Sequence, residues 1–106
     1  MIYTSHHPVP PLPKTSVFHY LFPERPGDSP IHVHPSSTPA FIDGPTGRVL
    51  TRGELEDGAL RIATGLRDLG IKGTALLIGP NSLDWVLAAY GLQAAGVCVS
   101  PANTAL

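Results

Sequence analysis

The chain has one cysteine in 106 residues, so no internal disulfide can form and no cysteine–histidine spacing resembles a zinc site. It has little net charge, −1 with a pI near 6.5, and therefore no basic field of the kind that attracts nucleic acid. It lacks an apolar run approaching the roughly 20 residues that span a bilayer. It also lacks a basic stretch followed by an apolar one near its start, which excludes a visible secretory signal. These absences together lead to the expectation of a soluble, intracellular protein. A chain of this length holds one small domain or a piece of a larger one.

Proline is abundant but unevenly placed. Ten of the twelve prolines lie at or before Pro45, clustered in Pro8–Pro13 and Pro23–Pro39. Proline lacks an N–H and pushes the preceding residue toward extended backbone, so regular helix is not expected across this stretch. The exception is Ser16-Val17-Phe18-His19-Tyr20-Leu21-Phe22, a proline-free aromatic run behind a capping serine. Residues 1–38 therefore read as a proline-rich arm with one short helix, expected to lie over a surface, and residues 39–106 as the start of a domain.

From Pro39 the pattern is that of an α/β domain. Ala40–Asp43 and Arg48–Thr51 are short extended segments, and Gly44-Pro45-Thr46-Gly47 supplies a reversal between them, which predicts a β-hairpin. Thr51-Arg52-Gly53-Glu54 has the form of a capping box. Behind it Leu55, Ala59, Ile62, Ala63, Leu66 and Leu69 recur at helical spacing, Asp57 and Arg61 are paired four apart, and Gly70 marks the stop. Gly58 and Gly65 each weaken that helix by about 1 kcal/mol relative to alanine. Gly65 suggests close passage of another backbone.

Thr74–Ile78 is continuously apolar, as in a strand buried on both faces. Asn81 or Ser82 then caps a helix running from Leu83 to Ala95, whose clearly polar side chains are only Asp84 and Gln93. Gly96 ends it, and Val97-Cys98-Val99 begins a second buried strand, completing a βαβ crossover. Cys98, between two valines, reads as a small buried apolar residue rather than a nucleophile. The result is an incomplete three-layer domain. A helix apolar nearly all round and two strands with two apolar faces need more protein around them than the one remaining helix provides. Dimerisation is the alternative way to cover such surfaces.

Sharper functional readings fare poorly against plain ones. Gly79-Pro80-Asn81-Ser82 follows a strand and opens a helix, where phosphate can bind, but it lacks the lysine and repeated glycines of phosphate loops. Asp84 would also repel an anion there, so a simple helix cap is preferred. His32 and His34, with His6-His7, fall short of the converging ligand set a metal requires and read as surface histidines. Asp43, Glu54 and Asp57 are carboxylates already explained by a turn, a cap and an ion pair. Trp85 and Tyr90 read as core.

The ordered set of segments resembles a known family. PAFIDGPTGRVLTRGELEDGALRIATGLRDLGI is similar to the opening of 4-coumarate–CoA ligases and related acyl-CoA synthetases, with its "IDG-x-TG" hairpin and "GL-x-x-LGI" helix end. GPNSLDWVLAAYGLQAAGVCVSPANTAL resembles the same family's "PNS" helix and "AGG-x-x-SPAN" strand, and SVFHYLF its short aromatic helix. The leading Ile2-Tyr3-Thr4-Ser5 is similar to fungal-type members. The resemblance implies an AMP-binding, adenylate-forming enzyme that activates a carboxylic acid with ATP and passes the acyl group to coenzyme A. ATP, magnesium and CoA would serve the complete enzyme, and the partner of this chain would be the remainder of the synthetase domain.

The family's phosphate loop and catalytic lysine lie beyond the matching segments, so no catalytic, cofactor-binding or metal-binding residue carries over. Two departures stand out: Lys72-Gly73-Thr74 replaces a basic residue followed by Gly-Asp, and Asn103-Thr104-Ala105-Leu106 replaces "N-x-x-YT". The expected product is an inactive N-terminal part of an ATP-dependent acyl- or aryl-CoA ligase. The alternative is a stand-alone, non-catalytic interaction module derived from such a ligase. Location is left between cytoplasm and peroxisome; Thr104-Ala105-Leu106 is not a peroxisomal tripeptide.

Overall fold

The computed structural model describes residues 1–25 and 27–104. Pro26 of the arm and the terminal Ala105-Leu106, set above against the family pattern and the peroxisomal signal, lie outside the described residues. The element order is α1 (Val17–Leu21), β1 (Pro39–Ile42), β2 (Val49–Thr51), α2 (Arg52–Asp68), β3 (Thr74–Ile78), α3 (Leu83–Ala94) and β4 (Cys98–Ala102). β1 and β2 form an antiparallel hairpin, and β3 and β4 a separate parallel pair joined through α3. The hairpin, both long helices and the βαβ unit thus stand where the sequence places them. The second strand runs further than expected, through Ser100-Pro101 to Ala102.

Local chemistry fixes the helix ends. Thr51 Oγ1 accepts from the Glu54 N–H at 3.2 Å, while the Thr51 N–H donates to Glu54 Oε2 at 3.0 Å. The two remaining first-turn donors of α2 are taken by the arm: Arg52 N–H donates to the Thr38 carbonyl at 2.8 Å and Gly53 N–H to the Ser36 carbonyl at 2.9 Å. All four of these N-terminal donors are satisfied, two of them by long-range partners. At the other end Gly70, with φ +71°, closes the helix as Ile71 N–H donates to Leu66 O and Gly70 N–H to Arg67 O. α3 ends in the same way at Gly96, with φ +75°.

The short helix is docked through its C-terminal carbonyls. Ser29 Oγ donates to the Tyr20 carbonyl at 2.6 Å, and Arg52 Nη2 to the Leu21 carbonyl at 2.8 Å. The Arg52 guanidinium also lies 4.7 Å from the Phe22 ring centroid and 3.8 Å from the Glu56 carboxylate. Phe18 and Phe22 are buried, and Phe22 and Phe41 each meet Tyr90 of α3 edge-on at about 6 Å. Residues 1–12 are exposed throughout.

α2 packs closely on α3, and two glycines permit it. A Cβ on Gly91 would sit 2.6 Å from Ile62 Cβ, and one on Gly58 would sit 2.7 Å from Leu87 Cδ2. Gly65, by contrast, faces open space, which corrects the expectation of a close backbone there. The main buried cluster comprises Phe18, Phe22, Leu50, Leu55, Ala59, Ala63, Leu83 and Ala94, with no member from β3 or β4.

The parallel pair is covered on one face only. Along β3, Ala75 and Leu77 are half-buried while Leu76 and Ile78 are 63% and 57% exposed. One apolar face is therefore left open, as expected of strands with more apolar surface than this chain can cover, because α3 shields only one side. Cys98 is likewise exposed, not buried. It pairs in register with Thr74 and so shares the open face with Leu76 and Ile78.

The three glycines separate by experiment in the chain extended through the rest of its domain. Gly91→Ala should lower stability by about 1–3 kcal/mol, because the opposing atom is a Cβ that cannot swing away. Gly58→Ala should cost less, since a leucine methyl can rotate and helix propensity returns about 1 kcal/mol. Gly65→Ala should stabilise by about 0.4–1 kcal/mol. Urea midpoints in any other order would contradict the helix packing described above.

Candidate functional site

In an open parallel sheet, ligands bind outside the carboxyl ends of the strands, where the loops leaving neighbouring strands converge. The carboxyl ends of β3 and β4 lie side by side at one edge. Gly79, Pro80, Asn81 and Trp85 line one side of a cleft of about 360 Å³, and Pro101–Thr104 line the other. Gly79 packs against Trp85, with its Cβ position 3.4 Å from Cδ1. Ser82 caps α3, its Oγ accepting from the Trp85 N–H at 3.0 Å. That hydroxyl therefore holds the helix, and Asp84 stands exposed in the first turn.

A second depression, about 400 Å³, lies on the other side of the same loop, between Phe41–Pro45 of the hairpin and Asn81–Leu83 with Val86. Asn81 thus borders both spaces.

Among the described residues lining the strand-end cleft, none has an ionisable side chain. Its donor set consists of amides, a hydroxyl, backbone groups and one indole. Such a set suits a neutral polar part of a ligand. It does not fit magnesium, which demands carboxylate or phosphate oxygens, or a triphosphate, which needs cationic partners. No general acid or base is available there either.

The other candidates are dispersed. Asp43 accepts from the Thr46 hydroxyl within the hairpin turn. Glu54 is engaged in the capping box, and Asp57 pairs with Arg61 at 3.0 Å. His32 and His34 are exposed and meet edge-to-face at 4.6 Å between ring centroids. The described residues contain no group of three or more His, Cys, Asp or Glu placed to hold a metal ion. No helix among them is long and apolar enough to cross a membrane. Trp85 is half-buried at the cleft wall, whereas Tyr90 packs with Phe22 and Phe41.

The sequence pattern marks Gly79–Ser82 as a strand-to-helix turn, and the fold brings Pro101–Thr104 beside it. The signal was available in the βαβ reading itself, since parallel strands bring their exit loops to one edge.

The profile of the AMP-binding enzymes matches residues 29–106 of this chain, and hence most of its length. The chain belongs to the AMP-binding enzyme family. It is 32% identical over 104 residues to 4-coumarate-CoA ligase 1 of Narcissus pseudonarcissus, covering 88% of this chain and 19% of that one. It is 37% identical over 70 residues to 4-coumarate–CoA ligase 4 of Arabidopsis thaliana, covering 64% of this chain and 12% of that protein.

Among solved structures it is similar to a Mycobacterium tuberculosis fatty acyl CoA synthetase, with TM-score 0.54 and 32% identity over 64% of this chain and 14% of that one. The N-terminal domain of FACL13 from the same organism gives TM-score 0.56 and 32% identity over 66% of this chain and 18% of that chain. The chain thus spans less than a fifth of each relative, and corresponds to the N-terminal part of an acyl-CoA synthetase-type, 4-coumarate–CoA ligase-like enzyme. The α/β fold is that of the matching synthetase structures.

Trp85 at the cleft wall provides a direct readout. Titration of residues 1–106 with ATP and magnesium should give no saturable change in Trp85 emission. Saturable quenching that is abolished by Asn81→Ala would show that this edge binds nucleotide unaided.

Proposed function

We propose that this chain supplies the N-terminal part of an ATP-dependent acyl- or aryl-CoA ligase and does not catalyse that reaction alone. In the complete enzyme a carboxylate oxygen attacks the α-phosphorus of ATP, releasing pyrophosphate and leaving an acyl-adenylate. The CoA thiol then attacks the acyl carbon, and AMP departs. ATP, magnesium and CoA are the cofactors and co-substrates of that whole, and the remainder of the synthetase domain is the immediate partner of this chain. Such substrates place the reaction inside the cell.

The observation that supports the reading is the strand-end cleft: it lies at the carboxyl ends of the parallel pair, and its described lining has no charged side chain to bind phosphate or move a proton. Residues 1–38 serve as an arm whose helix locks onto the domain, and residues 39–106 begin the domain itself. The groups that handle phosphate and the acyl carbon come from elsewhere in the complete enzyme.

ATP–pyrophosphate exchange tests this. Residues 1–106 should show none above background with aromatic or fatty acids, while the chain extended through the rest of its reading frame should exchange with at least one of them. Exchange by residues 1–106 that survives removal of contaminating ligases would overturn the proposal. An extended reading frame that encodes no phosphate loop and no exchange activity would replace it with the non-catalytic module.

A further inference from the structure

The arm contains an apolar surface that the core does not use. Residues 8–13 are Pro-Val-Pro-Pro-Leu-Pro, followed by Lys14, and they form neither helix nor strand. Four prolines in six residues fix φ near −65° and bias their neighbours to the same extended region, which is the polyproline II helix. That helix repeats every three residues, so Val9 and Leu12 fall on one edge and Pro10 and Pro13 on the next. The segment therefore presents two apolar-residue–proline pairs, Val9-Pro10 and Leu12-Pro13, one turn apart.

Val9 is 84% exposed and Leu12 88% exposed. Pro13 is half-buried where the arm meets α1, and with Leu12 it borders a depression formed by Val17, Tyr20 and Leu21. The segment thus projects from an anchored end, and the buried cluster begins only at Phe18.

We infer that residues 8–13 form a docking ligand for a protein domain whose groove, lined by aromatic side chains, reads polyproline II helix. The two apolar–proline pairs match a groove that takes alternate faces of such a helix, and Lys14, exposed just beyond, suits an acidic rim. Little ordering entropy is lost on binding, because proline has already restricted the free segment. The inference is independent of the ligase reading, since it uses no residue of the α/β domain.

The test titrates a ¹⁵N-labelled SH3 domain, and separately a ¹⁵N-labelled WW domain, with residues 1–106 and with the extended chain. These two probes share the aromatic groove and differ in its width, so their responses identify which form is read. The expected result is a set of shifts confined to groove residues of at least one domain, with either form of the chain. The double variant Pro10→Ala/Pro13→Ala should weaken binding by roughly tenfold or more, as loss of an anchoring contact does. Tyr3→Ala, at an equally exposed apolar residue outside the segment, should leave it unchanged. The variants lie outside the buried cluster, and the single variant Pro10→Ala, which leaves the half-buried Pro13 in place, should weaken binding in the same sense. Absence of shifts in both domains, or binding that survives the double variant, would overturn the inference. Binding by residues 1–106 that disappears in the extended chain would also overturn it, since the occupant of the segment would then be the protein's own remainder.

Discussion

Helix α3 has almost nothing on its surface that water can satisfy, and the structure is arranged around keeping water from it. α2 lies along one side, close enough that Gly91 and Gly58 have no room for a Cβ against Ile62 and Leu87. The hairpin and the short helix close a second side through Phe41, Phe22 and Tyr90. The parallel pair covers a third. Each leucine or valine so enclosed contributes about 1.5–3 kcal/mol relative to full exposure, and a domain's net stability is only about 5–15 kcal/mol. The polar contacts follow from this arrangement. Arg52 ties the arm to α2, and Arg67 Nη2 donates to the Ala94 carbonyl at 3.0 Å, where α3 ends. Both join elements that the apolar packing has already brought together.

Interactions within a few residues were legible in the sequence. The Thr51–Glu54 box, the Ser16 and Ser82 caps and the glycine stops at Gly70 and Gly96 are set by a side chain and backbone groups close along the chain. The aromatic run at Ser16–Phe22 was legible as a helix, but its anchoring through Ser29 and Arg52 was not, because those partners are distant in sequence. Glycine shows the limit most clearly. Gly58, Gly65 and Gly91 look alike along the chain, yet only the crossing of α2 over α3 decides which of them meets a neighbour.

The exposed strand positions share one cause. Val97-Cys98-Val99 and Thr74–Ile78 carry the composition of strands enclosed on both faces, and composition reports the surroundings a segment is suited to. Within these residues only α3 is present to cover them, so Leu76, Ile78 and Cys98 face outward. The strand-end cleft is lined by backbone turns, amides, a hydroxyl and an indole, with no ionisable side chain among its described residues. The chain spans less than a fifth of the relatives it matches.

Scanning calorimetry of residues 1–106, set beside the chain extended through the rest of its domain, tests that dependence most directly. With one sheet face open, the short form should show no single cooperative heat-absorption peak and should bind an apolar dye strongly. The extended form should unfold cooperatively and bind little. A sharp, two-state transition from a monomer of residues 1–106, with no dye binding, would contradict the account.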